Sequence, residues 1–145
     1  MIYEKSAGAI VFRREGGKVK FLFLHKDDGD FWDMPKGNVE KGESELEAVK
    51  REAKEEAGLD DLKFMEGFKE KVHYFYHREG QTISKDVVFF LAETKMKDVR
   101  ISWEHTGYEW MDYGKALPLM KKGQKEVLEK AYAFLTGGLN KFVKG

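Results

Sequence analysis

The chain has 145 residues and balances 26 basic against 26 acidic side chains, so its formal net charge is zero. This length suits one domain, and we expect a single domain over residues 1–145. A protein that binds long nucleic acid through its overall field usually carries a basic excess, so zero net charge disfavours that class. Because the chain has no cysteines, disulfides, zinc–cysteine sites and iron–sulfur clusters are excluded.

The composition further predicts a cytoplasmic, heat-adapted protein. The first residues carry no apolar signal region, and no run approaches the roughly 18–20 apolar residues of a membrane span, so we expect no membrane association. Charged residues make up 36% of the chain and side-chain amides are few, which is typical of heat-adapted proteins. Nothing in the composition indicates an obligate protein partner.

The hydrophobic pattern predicts several strands, one central helix and one closing helix. Alternating or short apolar runs indicate strands at residues 6–13, 19–24, 62–76, 87–91 and 108–111. Helices are indicated at residues 44–57 and 124–135, and a loop at residues 27–30. This order lacks the regular strand–helix alternation of a doubly wound sheet. It therefore predicts a mixed α/β sandwich.

The apolar stripes of the two helices predict which side of each helix faces the core. Ser44 and Glu47 form a capping box at the start of the central helix, and Gly58 is placed to end it in a left-handed conformation. Its predicted core-facing residues are Leu46, Val49, Ala53 and Ala57. Those of the closing helix are Val127, Leu128, Ala131, Phe134 and Leu135.

The central helix also carries three glutamates at the spacing i, i+3 and i+4: Glu52, Glu55 and Glu56. Like charges at this spacing destabilise a helix by roughly 0.2–0.5 kcal/mol per pair, so a structural helix would alternate them with lysine. One interpretation is a solvated acidic face, relieved by Arg51 and Lys54. The other is a Mg²⁺ or Mn²⁺ site that faces a phosphate substrate. The turn at residues 34–37 favours the metal site, because it can aim a carbonyl and Lys36 at the carboxylates.

Residues 37–59 resemble a complete Nudix box. Gly37 is followed by five residues and Glu43, then by seven residues and the run REAKEEAGL from Arg51 to Leu59. The resemblance to Nudix hydrolases implies an α/β/α sandwich with a central mixed sheet and the catalytic loop-helix-loop. It also implies hydrolysis of a nucleoside diphosphate linked to another moiety, with Mg²⁺ or Mn²⁺ as cofactor.

The same resemblance implies roles for individual residues. It assigns metal binding to the carbonyl of Gly37 and the carboxylates of Glu52, Glu55 and Glu56. It assigns a structural ion pair to Glu43 and Arg51. Glu52 is our first choice for the carboxylate that assists the attacking water, and Glu55 and Glu104 are further catalytic candidates. The alternative for Glu104 is an ordinary surface carboxylate in a loop.

Outside the box, the chain resembles the asymmetrical diadenosine tetraphosphate hydrolases from about Ser6 to Leu135. The segments that carry this resemblance are residues 7–14, 31–37, 66–70, 73–74, 85–93, 103–105 and 108–110. The resemblance implies that water attacks one phosphorus of the tetraphosphate and that ATP and AMP are released. ADP-ribose, nucleoside triphosphates and the 5′ end of RNA are the alternative substrates.

Such a substrate requires cationic and aromatic contacts. Lys36 and Lys85 are the candidates for the phosphates. Tyr74 matches the tyrosine that stacks on adenine in such enzymes, and its alternative is an ordinary aromatic on a strand. Trp32 either lines the mouth of the pocket or packs under the turn at Pro35.

A second stacking residue is harder to place. Related enzymes often have an aromatic residue just before the last helix, but residues 119–123 contain none. Either Tyr113 or Tyr132 takes its place, or the second adenine is held loosely.

Overall fold

A seven-stranded mixed sheet forms the centre of the protein. The computed structural model describes residues 1–26 and 31–144, with side chains up to residue 137, so the predicted loop at residues 27–30 lies outside the described residues. The strands are β1 (Ile2–Glu15), β2 (Lys18–His25), β3 (Trp32–Asp33), β4 (Lys36–Asn38), β5 (Lys63–Arg78), β6 (Gln81–Glu93) and β7 (Gly107–Met111). The helices are α1 (Glu45–Ala57), α2 (Tyr113–Ala116), a 3₁₀ turn (Leu117–Leu119) and α3 (Lys122–Lys144).

Strand β1 is central in the sheet, because it pairs with three other strands. The strand order is β3-β2-β1-β6-β5, with β4 paired to β1 and β7 paired to β2. Strands β1 and β6 run parallel, whereas β1 pairs with β2 and β4 in antiparallel fashion. In the β1–β4 register Ala7 lies opposite Gly37 and Gly8 lies opposite Lys36. The segment before α1 is therefore hydrogen-bonded directly to the middle of the sheet.

The two faces of the sheet are covered by different helices, which confirms the predicted α/β sandwich. Because side chains alternate along a strand, Ala7, Ala9 and Val11 of β1 pack in one cluster with Ala48 and Val49 of α1. Intervening β1 residues pack in a second cluster with α3: Ile10 and Phe12 meet Val127, Leu128 and Ala131. The small β1 side chains on the first face allow α1 to lie close to the strand.

Both predicted ends of α1 are confirmed. The Glu47 amide donates to Ser44 Oγ at 3.0 Å, and the Ser44 amide donates to Glu47 Oε1 at 2.9 Å. Gly58 follows the helix in the left-handed conformation, with φ of 69°. These local bonds fix where the helix starts and stops.

The buried side of α1 is wider than predicted. Val49, Ala53 and Ala57 are buried as expected, but Ala48 is buried as well and Leu46 is only half-buried. On a helical wheel at about 100° per residue, Glu52 and Glu56 fall between Ala48 and Val49. These two glutamates therefore lie within the buried side of the helix and not beside it.

The closing helix begins two residues earlier than predicted, and α2 and the 3₁₀ turn that precede it were not predicted. Val127, Leu128 and Ala131 are fully covered, but Phe134 is 41% exposed. Phe134 packs edge-to-face on Phe68 at the rim of the core, with ring centroids 5.6 Å apart. None of the helices in the described residues is long and apolar enough to span a membrane.

Candidate active site

Arg51 joins the loop before α1 to the helix itself. Its Nε donates to Glu43 Oε2 at 2.7 Å, and a terminal nitrogen donates to Glu43 Oε1 at 3.1 Å and to the carbonyl of Asn38 at 2.9 Å. Its other terminal nitrogen lies 2.7 Å from Glu52 Oε1 and 3.4 Å from Glu55 Oε2. Glu43 is the main cause that raises the pKa of Arg51, so this guanidinium stays charged.

Gly37 and Glu52 touch across the gap between the loop and the helix. A Cβ atom placed on Gly37 would lie 2.1 Å from the Glu52 carboxyl carbon and 2.2 and 2.5 Å from its two oxygens. Only glycine allows this approach, because a Cβ at such distances overlaps the carboxylate. The predicted metal-binding groups Gly37 and Glu52 are therefore direct neighbours.

Glu56 lies deeper in the same gap. Its Oε1 accepts a hydrogen bond from the backbone N–H of Lys36 at 2.9 Å, and its Oε2 lies 3.7 Å from Nε2 of the buried His105. Burial is the main cause that raises the pKa of Glu56 to about 8, and the charge of Glu52 acts in the same direction. The surrounding protein therefore supplies too few positive groups to compensate the charge of ionised Glu56.

Glu52 has a similar environment. Burial is the main cause that raises its pKa, opposed by Arg51 and reinforced by the charges of Glu55 and Glu104. Neighbouring acidic groups with raised pKa values occur more often at functional sites than elsewhere in a protein.

The chemistry of these groups fits a divalent metal ion. Among the described residues no three carboxylate or imidazole groups converge closely enough to enclose an ion by themselves. Mg²⁺, however, commonly binds through one or two carboxylates and completes its octahedron with waters and substrate phosphates. Glu52 and Glu56, together with the Gly37 backbone, supply hard oxygen ligands of this kind. Glu55 lies at the open edge of the group, where its side chain is 59% exposed.

Glu104 lies in the loop between β6 and β7, on the solvent side of this group. It is exposed, and it is near enough to Glu52 to raise the pKa of that residue. The neighbouring Trp103 is 91% exposed. The structure therefore places Glu104 near Glu52 but exposed to solvent, and not enclosed among the carboxylates.

A cavity of about 670 Å³ lies beside Lys36, whose backbone N–H bonds Glu56, and none of Glu52, Glu55 and Glu56 is among its lining residues. It is lined by strand β5 on one side and by the start of α3 on the other, and its cationic lining residues are Lys36, Lys71, Lys121 and Lys122. Lys36 belongs to both places, because its backbone bonds Glu56 while its side chain lines the cavity. Lys36 is therefore the link between the carboxylates and the cavity, and the cationic lining residues suit a ligand with negative charge.

Tyr74 lines this cavity, and Lys85 lies behind it on the neighbouring strand. Tyr74 is opposite Lys85 in the β5–β6 register, and burial raises the pKa of the tyrosine. Burial is also the main cause that lowers the pKa of Lys85, and the nearby charge of Lys36 lowers it further. Lys85 is half-buried close to Lys36, but it is not among the residues that line the cavity.

Trp32 does not line the cavity, and its neighbour Phe31 does. Pairing between β2 and β3 sets Trp32 opposite His25, and their ring centroids are 4.6 Å apart. Phe31 faces the ammonium of Lys121, which lies 4.1 Å from the ring centroid. Of the two alternatives for Trp32, the structure favours packing.

Neither tyrosine suggested as the second stacking residue reaches the cavity. Tyr113 and Tyr132 stack on each other, with centroids 4.0 Å apart and planes 4° apart, and both pack against the core. Because neither ring is among the residues that line the cavity, neither tyrosine is placed to stack on a base there. Phe31 was missed because its aromatic character alone did not distinguish it from a core residue.

Asp33 and Gln124 are two further residues that sequence reasoning missed. Asp33 is buried, contacts the ammonium of Lys36, and accepts a hydrogen bond from the side-chain amide of Gln124 at 2.7 Å. The acidic residue in the otherwise apolar run WDMP was the available signal for Asp33. No local pattern indicated Gln124, because its partner Asp33 is far away along the chain.

Comparisons with known proteins agree with this geometry. Residues 2–131 match the NUDIX domain. The asymmetrical bis(5′-nucleosyl)-tetraphosphatase of Sus scrofa is 37% identical over 143 residues, which cover 90% of this chain and 95% of that protein. An RNA pyrophosphohydrolase of Nitratiruptor sp. is 32% identical, with 77% of this chain and 79% of that protein covered. The crystal structure of a Caenorhabditis elegans Ap4A hydrolase binary complex is similar with a TM-score of 0.77 at 32% identity, covering 92% of this chain and 98% of that one.

The contact between Gly37 and Glu52 predicts a strong effect of Gly37→Ala. The new methyl group would displace the Glu52 carboxylate, so we expect turnover of any substrate to fall by at least about a hundredfold. Gly107→Ala is the matched control, because a Cβ at Gly107 meets nothing within 4 Å. Steady-state kinetics with Mg²⁺ measure both variants. Wild-type turnover in Gly37→Ala would show that the Glu52 position does not matter.

The raised pKa of Glu56 predicts how stability depends on pH in the metal-free protein. The ordinary value is 4.5 and the folded value is about 8, so the folded state binds more protons between these pH values. The free energy of unfolding should therefore fall as pH rises through this window. Glu56→Gln removes this loss, so its melting temperature in EDTA should exceed that of the wild type by more at pH 8 than at pH 5.

Glu129→Gln on the exposed side of α3 is the control for this measurement, and we expect it to follow the wild-type pH profile. A constant difference in melting temperature between Glu56→Gln and the wild type at both pH values would contradict the assignment.

Proposed function

This chain belongs to the Nudix family, and on that premise we propose that it is a metal-dependent pyrophosphohydrolase that cleaves diadenosine tetraphosphate asymmetrically to ATP and AMP. One observation carries the proposal: Lys36 connects the acidic groups of the Nudix box to a cavity lined with lysines and aromatic rings. Lys36 therefore connects the proposed site of hydrolysis, at the carboxylates, to the proposed nucleotide-binding site, in the cavity.

The acidic groups would hold Mg²⁺ or Mn²⁺. Glu52, Glu56 and the Gly37 carbonyl are the proposed inner ligands, and Glu55 is the outer one. A bound divalent ion neutralises phosphate charge and lowers the pKa of a coordinated water. Glu52 is then the first candidate to accept the proton of the attacking water, and the exposed Glu104 is the second.

The cationic residues suit a polyphosphate chain. A tetraphosphate carries about four negative charges, and hydrogen bonds from ammonium groups to phosphate are stronger than neutral ones. Lys36, which lines the cavity and bonds Glu56 through its backbone, and the nearby Lys85 are the proposed phosphate ligands. Lys71, Lys121 and Lys122 extend the positive lining along the cavity. Even though the net charge is zero, the local charge favours an anionic ligand.

The aromatic residues suit the two bases. Tyr74 is 38% exposed and offers its ring to the cavity. Stacking of a base on such a ring contributes roughly 1–3 kcal/mol. Phe31 supplies a second aromatic surface in the same cavity, in place of the aromatic residue that is missing before α3.

The similarity to an RNA pyrophosphohydrolase gives a second candidate function, removal of pyrophosphate from the 5′ end of RNA. The same groups could hydrolyse this substrate, since it too joins a base to a polyphosphate. ADP-ribose and nucleoside triphosphates complete the set of competing substrates.

A substrate panel in ¹⁸O-labelled water tests the proposal. With Mg²⁺, we expect diadenosine tetraphosphate to have the highest kcat/KM and to give ATP and AMP, with the label in one product identifying the attacked phosphorus. Two molecules of ADP, or a higher kcat/KM for ADP-ribose or 5′-triphosphate RNA, would contradict the proposed substrate.

Tyr74→Ala in the same assay tests base stacking. Loss of the ring should raise KM by roughly five- to 150-fold while kcat changes little, because the metal-binding groups are untouched. Phe75→Ala is the control, because Phe75 is an exposed neighbour on β5 that does not line the cavity. Equal KM values for the two variants would remove Tyr74 from the binding site.

A further inference from the structure

Asp33 connects three parts of the molecule through its side-chain contacts. It is the last residue of β3, its side chain is 5% exposed, and it contacts the ammonium of Lys36, the first residue of β4. It also accepts a hydrogen bond from Gln124, which lies in the first turn of α3. Strands β3 and β4 and the closing helix therefore meet at one buried carboxylate.

The two oxygens of Asp33 have separate partners. Oδ1 accepts from the backbone N–H of Met34 at 2.8 Å and from Nε2 of Gln124 at 2.7 Å. Oδ2 contacts the Lys36 ammonium. The contact with Lys36 can therefore be removed without removing the other two.

The amide of Gln124 is held from both ends. Its nitrogen donates to Asp33, and its oxygen accepts from the backbone N–H of Lys121 at 3.3 Å. Lys121 and Gln124 both line the cavity on the α3 side. The start of α3 is thereby fixed relative to Lys36, which also lines the cavity.

We propose that Asp33 is a positioning residue that holds the Lys36 ammonium at the cavity, ready to bind a polyphosphate chain. This inference rests on the proposed function of Lys36 as a phosphate ligand. A lysine side chain has four flexible bonds, and holding it in one orientation before the ligand arrives removes part of the entropy cost of binding.

The different exposure of the Lys36 and Asp33 side chains indicates which of the two is accessible to a ligand. The Lys36 side chain is 21% exposed, whereas Asp33 is 5% exposed. The protein covers the carboxylate, and the lysine keeps one accessible side, which lines the cavity. Because every oxygen of Asp33 already has a partner, its negative charge is compensated locally and does not face the ligand.

The test measures binding of inorganic tripolyphosphate by calorimetry without divalent metal. Asp33→Asn can keep the Oδ1 hydrogen bonds and present an amide to Lys36 in place of a carboxylate. We expect the dissociation constant to rise about tenfold and the melting temperature to stay near that of the wild type. Asp61→Asn is the matched control, because Asp61 also accepts two hydrogen bonds, from Thr94 and from the Lys95 amide, away from the cavity.

Lys36→Met decides whether Asp33 acts through Lys36. If it does, Asp33→Asn should weaken binding in the wild-type background and have no further effect in the Lys36→Met background. Equal effects in both backgrounds would overturn the proposal. So would tighter binding by Asp33→Asn, because Asp33 would then be holding Lys36 away from the ligand.

The kinetic arm separates this proposal from the proposed substrate. For whichever nucleotide the wild type hydrolyses fastest, Asp33→Asn should raise KM about tenfold, leave kcat within about twofold, and leave the Mg²⁺ concentration for half-maximal rate unchanged. A fall in kcat with unchanged KM would overturn the proposal. A wild type that prefers another nucleotide would contradict diadenosine tetraphosphate alone, whereas a wild type that binds no tripolyphosphate would overturn the role of Asp33.

Discussion

The Arg51 guanidinium is the interaction on which the candidate active site depends. It bridges Glu43 and the Asn38 carbonyl in the loop to Glu52 and Glu55 in the helix. Because these bonds use the fork of the guanidinium in several directions, a lysine could not replace them. The loop is thereby held so close to the helix that only glycine fits at position 37.

The close approach of the loop and the helix buries carboxylates, which is electrostatically unfavourable. A bound metal ion would offset this cost. Two carboxylates, Glu52 and Glu56, lie on the buried side of α1, where burial raises the pKa of each. A helix selected only for stability would not place both there, because Arg51 and the Lys36 amide compensate them only in part, and burying an incompletely compensated charge is unfavourable. Their position is understandable if the working protein carries a divalent cation and the negative chain of a substrate against this side of the helix.

The cavity beside Lys36 is the second part of the candidate site, where we propose that the substrate binds. Lys36 adjoins both regions, and Asp33 and Gln124 connect it to the start of α3. The proposed ligand-binding residues are therefore arranged by elements that lie far apart along the chain. The closing helix contributes to the cavity as well as to the core.

Local signals in the sequence were sufficient to predict much of this structure. The capping box at Ser44 and the helix end at Gly58 depend on neighbouring residues, and both predictions were confirmed. The apolar runs at residues 6–13 and 87–91 also predicted strands, and the structure extends these to Ile2–Glu15 and Gln81–Glu93. The resemblance to the Nudix box likewise pointed to Gly37 and Glu52, which are direct neighbours in the structure.

Features that depend on distant contacts were not predictable in this way. The half-exposure of Leu46 depends on where α1 meets the sheet, which helical periodicity does not determine. The bond between Asp33 and Gln124 joins residues 91 positions apart. Stacking of Tyr113 on Tyr132 likewise requires the packing of α2 on α3.

Metal binding by the box glutamates is the central claim, and titration with Mn²⁺ followed by electron paramagnetic resonance tests it most directly. The account predicts that the wild type binds Mn²⁺ and that Glu52→Gln and Glu56→Gln each weaken binding at least about tenfold while the protein stays folded. Glu66→Gln, at an exposed position on β5, should bind as the wild type does. Equal Mn²⁺ affinity in all four proteins would contradict the account.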